Sequence, residues 1–463
     1  MKINKIAEFS VGPVLSSLLG LITLPIVAWF FSPDDIGRLT MLHVAISFSL
    51  LLFSLGLDQA YVREFHVVDN KPSLFKLALF PGLILLSFGS IILLLLPWSL
   101  SEFIFGISSS LLSYLLILSI FFAFISRFLS LILRMQERGL AYSMSQVLPK
   151  LLFLILLGAY VYIGAEAVFT NLMLANFISL FVVFVVFAWA TREQWLVAIN
   201  TSIDQIKQRQ MIRYALPLIG SGIAFWGLTA MDKIFLRSIS TFEELGIYSI
   251  SVSFASAALV FQAIFTTIWA PTVYKWAEDG SSIDKIKKTI EYVSLIVLLI
   301  WSLAGLFSWV VIFILPPEYV NVPKILLVTM AYPLFYTLAE ATGVGIGIQR
   351  KTEYALLAAL IALLANLGGN LIFIPIYGAA GAAISTGLAF LIFLIIKTES
   401  SISVWSNFPR LKIYTFIISF FIVSVIINIF NFDLFIVPIL FTLLFILVIY
   451  FFKNIFKDFL KNN

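Results

Sequence analysis

Apolar residues run through this chain in long continuous stretches, separated by short polar ones, and the alternation typical of half-buried strands is missing. Runs of 18 or more apolar residues are long enough to cross a bilayer as helices. They predict spans at roughly 7–31, 39–57, 74–97, 111–133, 140–163, 166–190, 214–236, 246–274, 289–315, 325–348, 353–376, 379–397, 411–430 and 433–452, about fourteen in all. Strands of a membrane barrel alternate in polarity and never give such runs, so a barrel is excluded. The expected class is an all-α polytopic membrane protein. The opening MKINKIAEFS passes into apolar sequence with no small-residue cleavage site, and it reads as a retained first span rather than a signal peptide.

Charge tests this assignment. An even number of spans puts both ends on one side. With the N-terminus inside, the inner side collects Lys2, Lys5, Arg63, Lys71, Lys76, Arg134, Arg138, Lys150, Arg192, Lys207, Arg209 and Arg213. It also takes Lys275, Lys285, Lys287, Lys288, Arg350, Lys351, Lys397, Arg410, Lys412, Lys453, Lys457 and Lys461. Only Arg38, Arg237 and Lys324 fall outside, and Arg127 and Lys233 lie within spans. This is the positive-inside pattern. The formal net charge of +5 therefore records topology, and nucleic acid is not an expected partner.

Composition agrees: 61% hydrophobic and 11% charged residues are far from a soluble domain. The absence of cysteine removes disulfides, thiolate metal sites and cysteine nucleophiles. Two histidines, His43 and His66, leave little basis for a histidine metal centre or triad. No phosphate-binding GxxxxGK, no GxSxG and no HExxH occurs. No catalytic residue, metal or cofactor is expected, so any work must draw on an ion gradient, a substrate gradient or removal of product.

The longest connection, TREQWLVAINTSIDQIKQRQMIR at 191–213, has Trp195, Leu196, Ile199, Ile203 and Ile206 at helical spacing. It predicts an amphipathic helix on the inner membrane surface. Outer loops are all about a dozen residues or fewer, too short for a soluble domain.

Two echoes suggest a duplication. Asp34-Asp35-Ile36-Gly37 returns 209 residues later as Glu243-Glu244-Leu245-Gly246, and Gly164-Ala165 returns 214 later as Gly378-Ala379. Locally the acidic motif is a helix start: Ser32 can cap with Pro33 in the first turn, and Thr241 can do the same ahead of Glu243 and Glu244. The matching offsets imply a six-helix bundle at 1–190, a cytoplasmic linker at 191–213, a second six-helix bundle at 214–397, and two additional helices with a cytoplasmic tail at 398–463. Six spans each would give the halves one orientation.

Ionisable groups within spans are costly and face a bundle interior or a wet cavity. Arg127, with Arg134 and Arg138 after it, forms a basic stripe toward the cytoplasm if the helix continues. Such a stripe suits a phosphorylated headgroup, or it holds topology while Arg127 pairs with a neighbour. Asp232 and Lys233, near the outer end of span seven, suit a cavity role, or Lys233 snorkels outward while Asp232 finds a partner elsewhere. Glu340 counters Arg127 or Lys233, or carries a coupling proton. Gly343 and Gly347 on its face suit close packing. Asp58, Arg63 and Glu64 read as interfacial, and His43 as a packed polar residue. Pro217, Gly220 and Gly222 interrupt span seven as candidate hinge elements, and Pro13, Pro25, Gly368, Gly369 and Pro375 punctuate others.

The stretches LITLPIVAWFFSPDDIGRLTM (21–41), GLDQAYVREF (56–65), MDKIFLRSISTFEELGIYSIS (231–251) and IPIYGAAGAAISTGLA (374–389) resemble the Wzx-type polysaccharide repeat-unit flippases of the multidrug/oligosaccharidyl-lipid/polysaccharide exporter superfamily. The resemblance covers essentially the whole chain. It implies MATE-like paired bundles around a cavity that opens to either side in turn. The implied cargo is an undecaprenyl-pyrophosphate-linked oligosaccharide, an O-antigen or related lipopolysaccharide or capsule unit, moved to the outer leaflet of a bacterial inner membrane. Membrane lipids, H+ or Na+, and other polysaccharide-assembly proteins are the implied partners. Asp232-Lys233 falls where such proteins carry an Asp-Arg pair, and Arg63 matches a frequent arginine. A lysine at 233 departs from the pattern and lacks the bidentate fork for phosphate. Two rivals remain. A cation-coupled drug exporter tends to need an acid in span one, and that span has none between Glu8 and Asp34. A membrane glycan polymerase or ligase needs a sizeable outer loop.

Overall fold

The apolar runs become helices. The computed structural model describes residues 3–278, 283–453 and 455, and among these no strand occurs. Lys2, Lys457 and Lys461 of the basic set lie outside the described residues. The chain divides into two compact units, Met1–Gly227 and Leu228–Asn463.

The first unit carries α1 (Ile3–Ala28), α2 (Pro33–Ser54), α3 (Leu57–Glu64), α4 (Lys71–Leu95), α5 (Leu100–Phe105), α6 (Ser110–Met135), α7 (Gly139–Tyr162), α8 (Phe169–Ala190) and α9 (Arg192–Ile199). The division falls within α10 (Gln205–Ile239). The second unit continues with α11 (Phe242–Glu278), α12 (Ile283–Phe307), α13 (Val311–Ile314), α14 (Val322–Thr329), α15 (Ala331–Thr342) and α16 (Val344–Ile348). It ends with α17 (Glu353–Val404), α18 (Leu411–Ile429) and α19 (Ile436–Phe451).

Twelve of the described helices are long and apolar enough to cross a membrane, and α19 is a shorter apolar helix. The difference from the expected fourteen has a local cause. The runs 353–376 and 379–397 are two helices, joined within α17 across Gly378, which takes the non-helical φ 52 and ψ −124, and they count once among the twelve. The run 433–452 yields only the 16 residues of α19.

Helix starts follow the polar signals. Ser32 accepts a hydrogen bond from the Asp35 amide at 3.2 Å, with Pro33 in the first turn. Thr241 accepts from the Glu244 amide at 3.1 Å. Glu244 does more than sit in a first turn: its carboxylate accepts from the Ala379 amide at 2.6 Å, just past the bend at Gly378. Gly164 also takes a positive φ, 70°, so both glycines of the second echo stand where a side chain is strained.

Lipid is as apolar as leucine, so helices associate through close approach and buried polar groups rather than hydrophobic burial. α1 packs along α7, where a Cβ at Gly12 would stand 2.7 Å from the Ser143 Cα. In the second unit α12 holds the final pair: Phe441 of α19 lies over Gly305, and Trp301, fully buried, packs edge-on near Phe335 and tilted against Phe420. The last two helices are therefore part of the second unit's core.

Three expectations need correction. The 191–213 connection is not one surface helix. It breaks after Ile199, where the Lys76 ammonium binds the carbonyls of Ile199 and Thr201 at 2.8 and 2.7 Å, and helix resumes at Gln205. Span seven is not interrupted: α10 runs unbroken through Pro217, Gly220 and Gly222. And Arg138 does not extend the stripe of Arg127 and Arg134, because α6 ends at Met135, Glu137 turns to φ 58, and Arg138 precedes α7.

Candidate functional site

The most developed polar cluster lies in the second unit and centres on Asp232. α10 presents this aspartate at 2% exposure, inside apolar helices. Its Oδ1 accepts from the Lys233 amide at 2.9 Å. Its Oδ2 accepts from the Tyr248 hydroxyl of α11 and, at 3.4 Å, from the Thr386 hydroxyl of α17. The Thr386 oxygen in turn accepts from Asn366 Nδ2 at 3.1 Å, and Asn366 Oδ1 accepts from Asn370 Nδ2 at 3.0 Å. Ser385 donates to the Asn366 carbonyl at 2.9 Å. All these side chains are buried. The row ends on an open valence: Asn370 Oδ1 is buried and has no hydrogen-bond partner.

Among the described residues Asp232 has no salt bridge within 4 Å, although the charge of Lys233 acts on it electrostatically. Lys233, next in sequence, turns its ammonium back to the Thr229 carbonyl at 3.4 Å. Neighbours on a helix diverge by about 100°, so adjacency does not make a pair. A buried carboxylate whose direct hydrogen-bond donors are all neutral can take up a further positive charge or a proton, because its desolvation is only partly compensated. Carboxylate, hydroxyl and amide oxygens together form a hard ligand set, suited to a small monovalent cation or a proton rather than to a soft metal. Among the described residues no group of three or more His, Cys, Asp or Glu forms a metal cluster.

From this cluster a second row runs along α15 and α17. Tyr332, Tyr336 and Glu340 recur every four residues on α15 and share one face. Tyr332 lies tilted against Phe390 at 4.4 Å between centroids, and Tyr336 lies parallel to Phe393 at 5.9 Å. The Tyr336 hydroxyl bonds to Glu340. Glu340 does not counter Arg127 or Lys233; its partner is Lys397, one turn beyond Phe393 on α17. Lys397 is accordingly buried inside a helix rather than part of a cytoplasmic loop. Gly343 makes room for it, since a Cβ there would stand 2.7 Å from the lysine stem.

The basic candidates of the first unit lie elsewhere. Arg127 pairs with Asp58 at 2.6 Å, the aspartate side chain at 7% exposure and the arginine at 46%. Asp58 is thus buried rather than solvated. Glu64 pairs with Lys207 at 2.6 Å, and Arg63 covers the Tyr214 ring at 4.2 Å. Arg134 stands 5.7 Å from the Tyr142 ring. His43 contacts Asn176 at 3.1 Å. At Gly222 a Cβ would meet Leu51 at 2.8 Å, while at Gly220 nothing lies within 4 Å.

Asp232 and Glu340 stand out in the sequence as acids inside spans. Asn366, Asn370, Thr386 and Ser385 do not, because uncharged polar residues scarcely alter an apolar run. The one available signal was their spacing, with Asn366 and Asn370 one helical turn apart.

A family profile described as "Polysaccharide biosynthesis protein" matches residues 4–276. Among solved structures the chain is similar to "Lipid II flippase MurJ, inward closed conformation", with a TM-score of 0.69 and 17% identity over 98% of this chain and 99% of that one. It is also similar to "Inward-facing conformation of a multidrug resistance MATE family transporter of the MOP superfamily", with a TM-score of 0.64 and 14% identity over 86% of this chain and 95% of that one. At these identities the likeness is one of fold, and the chain has the MurJ- and MATE-like all-helical fold. No curated protein matches the sequence.

Proposed function

The chain belongs to the polysaccharide biosynthesis protein family, and we propose that it is a flippase for lipid-linked oligosaccharide, driven by a small cation bound at the Asp232 cluster. A member of a polysaccharide-assembly family that consists of apolar helices, with no soluble domain in its connections, is suited to moving a glycan precursor across the bilayer rather than making it. The fold it shares with a lipid II flippase and a multidrug exporter supports that reading. The observation that carries the coupling is the buried Asp232, whose direct hydrogen-bond donors are all neutral, with the unpartnered Asn370 oxygen at the end of its row.

On this reading the cargo is an undecaprenyl-pyrophosphate oligosaccharide, an O-antigen or related unit, taken from the inner leaflet of a bacterial inner membrane. Both termini face the cytoplasm, as the basic residues require. The units act as two six-helix halves with two further helices, and during transport α10 hinges at Pro217, where proline withholds one helical hydrogen bond, and at Gly220 and Gly222. In the first unit Arg127, still half exposed beside Asp58, contacts the anionic cargo together with Arg63 and Arg134, and Lys233 is a separate candidate contact in the second unit. Na+ or H+ binds at Asp232, and the Glu340–Lys397 pair holds the far end of the tyrosine row.

Deletion of the gene in a strain lacking any other flippase, followed by measurement of surface glycan, tests the proposal. Loss of glycan, restored by the gene but not by the Asp232→Asn variant, is the expected result. Normal surface glycan in the deletion strain would overturn it.

A further inference from the structure

One cation in the first unit has no part in the pairs described above. Lys150 lies on α7 about 16 Å from the helix start, at 1.5 Å per residue, which is close to the middle of a hydrocarbon layer about 30 Å thick. It is not a loop residue, although a count of loop charges takes it for one. Its ammonium donates to the main-chain carbonyl of Ser16 on α1 at 2.7 Å. Among the described residues it has no carboxylate partner.

α1 is shaped for this contact. Gly12, Ser16 and Gly20 recur every four residues on one face, and α7 packs along it. At Gly20 a Cβ would stand 3.2 Å from the lysine nitrogen, so any larger residue would crowd the ammonium off its carbonyl. Yet the Ser16 carbonyl is a neutral acceptor already within a helical ladder. It satisfies one of three ammonium N–H groups and none of the charge. Among the described residues the intramembrane cations of the pairs Arg127–Asp58 and Lys397–Glu340 have their own counter-charge. Lys150 does not.

Resting on the flippase reading, we infer that Lys150 is a binding residue for the pyrophosphate linker of the transported lipid. A phosphate oxygen supplies both the missing acceptors and the missing negative charge, and the Ser16 carbonyl holds the ammonium in place until the cargo arrives. A charge held at mid-membrane suits a headgroup that must pass that depth.

The test uses the purified full-length chain with a polyprenyl pyrophosphate bearing a neutral disaccharide, so that no acidic sugar supplies the anion. Lys150→Gln keeps an N–H for Ser16 and removes the charge, and it should weaken binding about tenfold. Lys150→Arg should stay within about threefold, since it keeps charge and donors. The corresponding monophosphate should bind more weakly to wild type and lose less on substitution. Equal binding by wild type and Lys150→Gln would show that the lysine only fastens α1 to α7. Should Lys150→Gln not fold, labelling of wild-type Lys150 by an amine-reactive ester decides the matter: protection by the pyrophosphate lipid supports the inference, and unchanged labelling overturns it. A wild-type protein that binds the lipid through Lys150 but does not move it would refute the flippase reading alone.

Discussion

Replacing Asp232 by asparagine should leave the fold standing and abolish cation coupling. The side chain keeps its size, and its oxygen can still accept from the Lys233 amide. Tyr248 and Thr386 carry hydroxyls, which can rotate to accept from the new amide. The cost in stability should stay within about 1 kcal/mol, as for substitutions that leave no buried group unpaired. The electrostatic loss is larger. A cation about 4 Å from a carboxylate at an effective dielectric of about 20 gains about 4 kcal/mol, equivalent to about a thousandfold in affinity. At 2% exposure little water is present to screen that term. The assay is lipid-linked oligosaccharide movement in proteoliposomes, with the imposed Na+ or H+ gradient varied. Wild type should respond to the gradient, whereas Asp232→Asn should move substrate only down its own gradient, at the same rate with or without the ion. A variant that keeps the wild-type ion response would refute the assignment of Asp232. One that unfolds would contradict the view that its neighbours can re-pair.

Three further outcomes follow from the packing. Removing Arg127 alone strands a buried Asp58 and should destabilise the first unit more than the double change Arg127→Ala/Asp58→Asn, with a coupling of about 1–3 kcal/mol in thermal melts of the purified protein. Lys397→Met should likewise cost more than Lys397→Met/Glu340→Gln, and equal melting temperatures would mean that the pair contributes nothing. Gly378→Ala should lower stability by about 1–2 kcal/mol, because the residue holds φ 52 and a Cβ would meet the Glu244 carboxylate that caps Ala379; an unchanged melt would show that the bend relaxes freely.

Much of the architecture is visible in the sequence because lipid imposes a coarse requirement. A helix must be long and apolar to span, so the spans follow from the apolar runs. Helix caps are just as local, and Ser32 and Thr241 act where their sequence places them. Partnerships are not local. Glu340 meets Lys397 and Arg127 meets Asp58 across 57 and 69 residues, and nothing in either run names the partner. Proline and glycine in span seven suggested a break, yet a helix in lipid keeps its remaining hydrogen bonds because no water is there to replace them. Asn366, Asn370 and Thr386 were invisible because their role exists only when α17 bends at Gly378 and brings both of its arms beside Asp232.

The most direct test of the central claim is reconstitution of the purified chain in vesicles with a fluorescent polyprenyl-pyrophosphate oligosaccharide in one leaflet. The account predicts movement to the other leaflet that is faster than in protein-free vesicles and that an imposed cation gradient accelerates. A folded, correctly inserted protein that leaves the lipid where it started would contradict it.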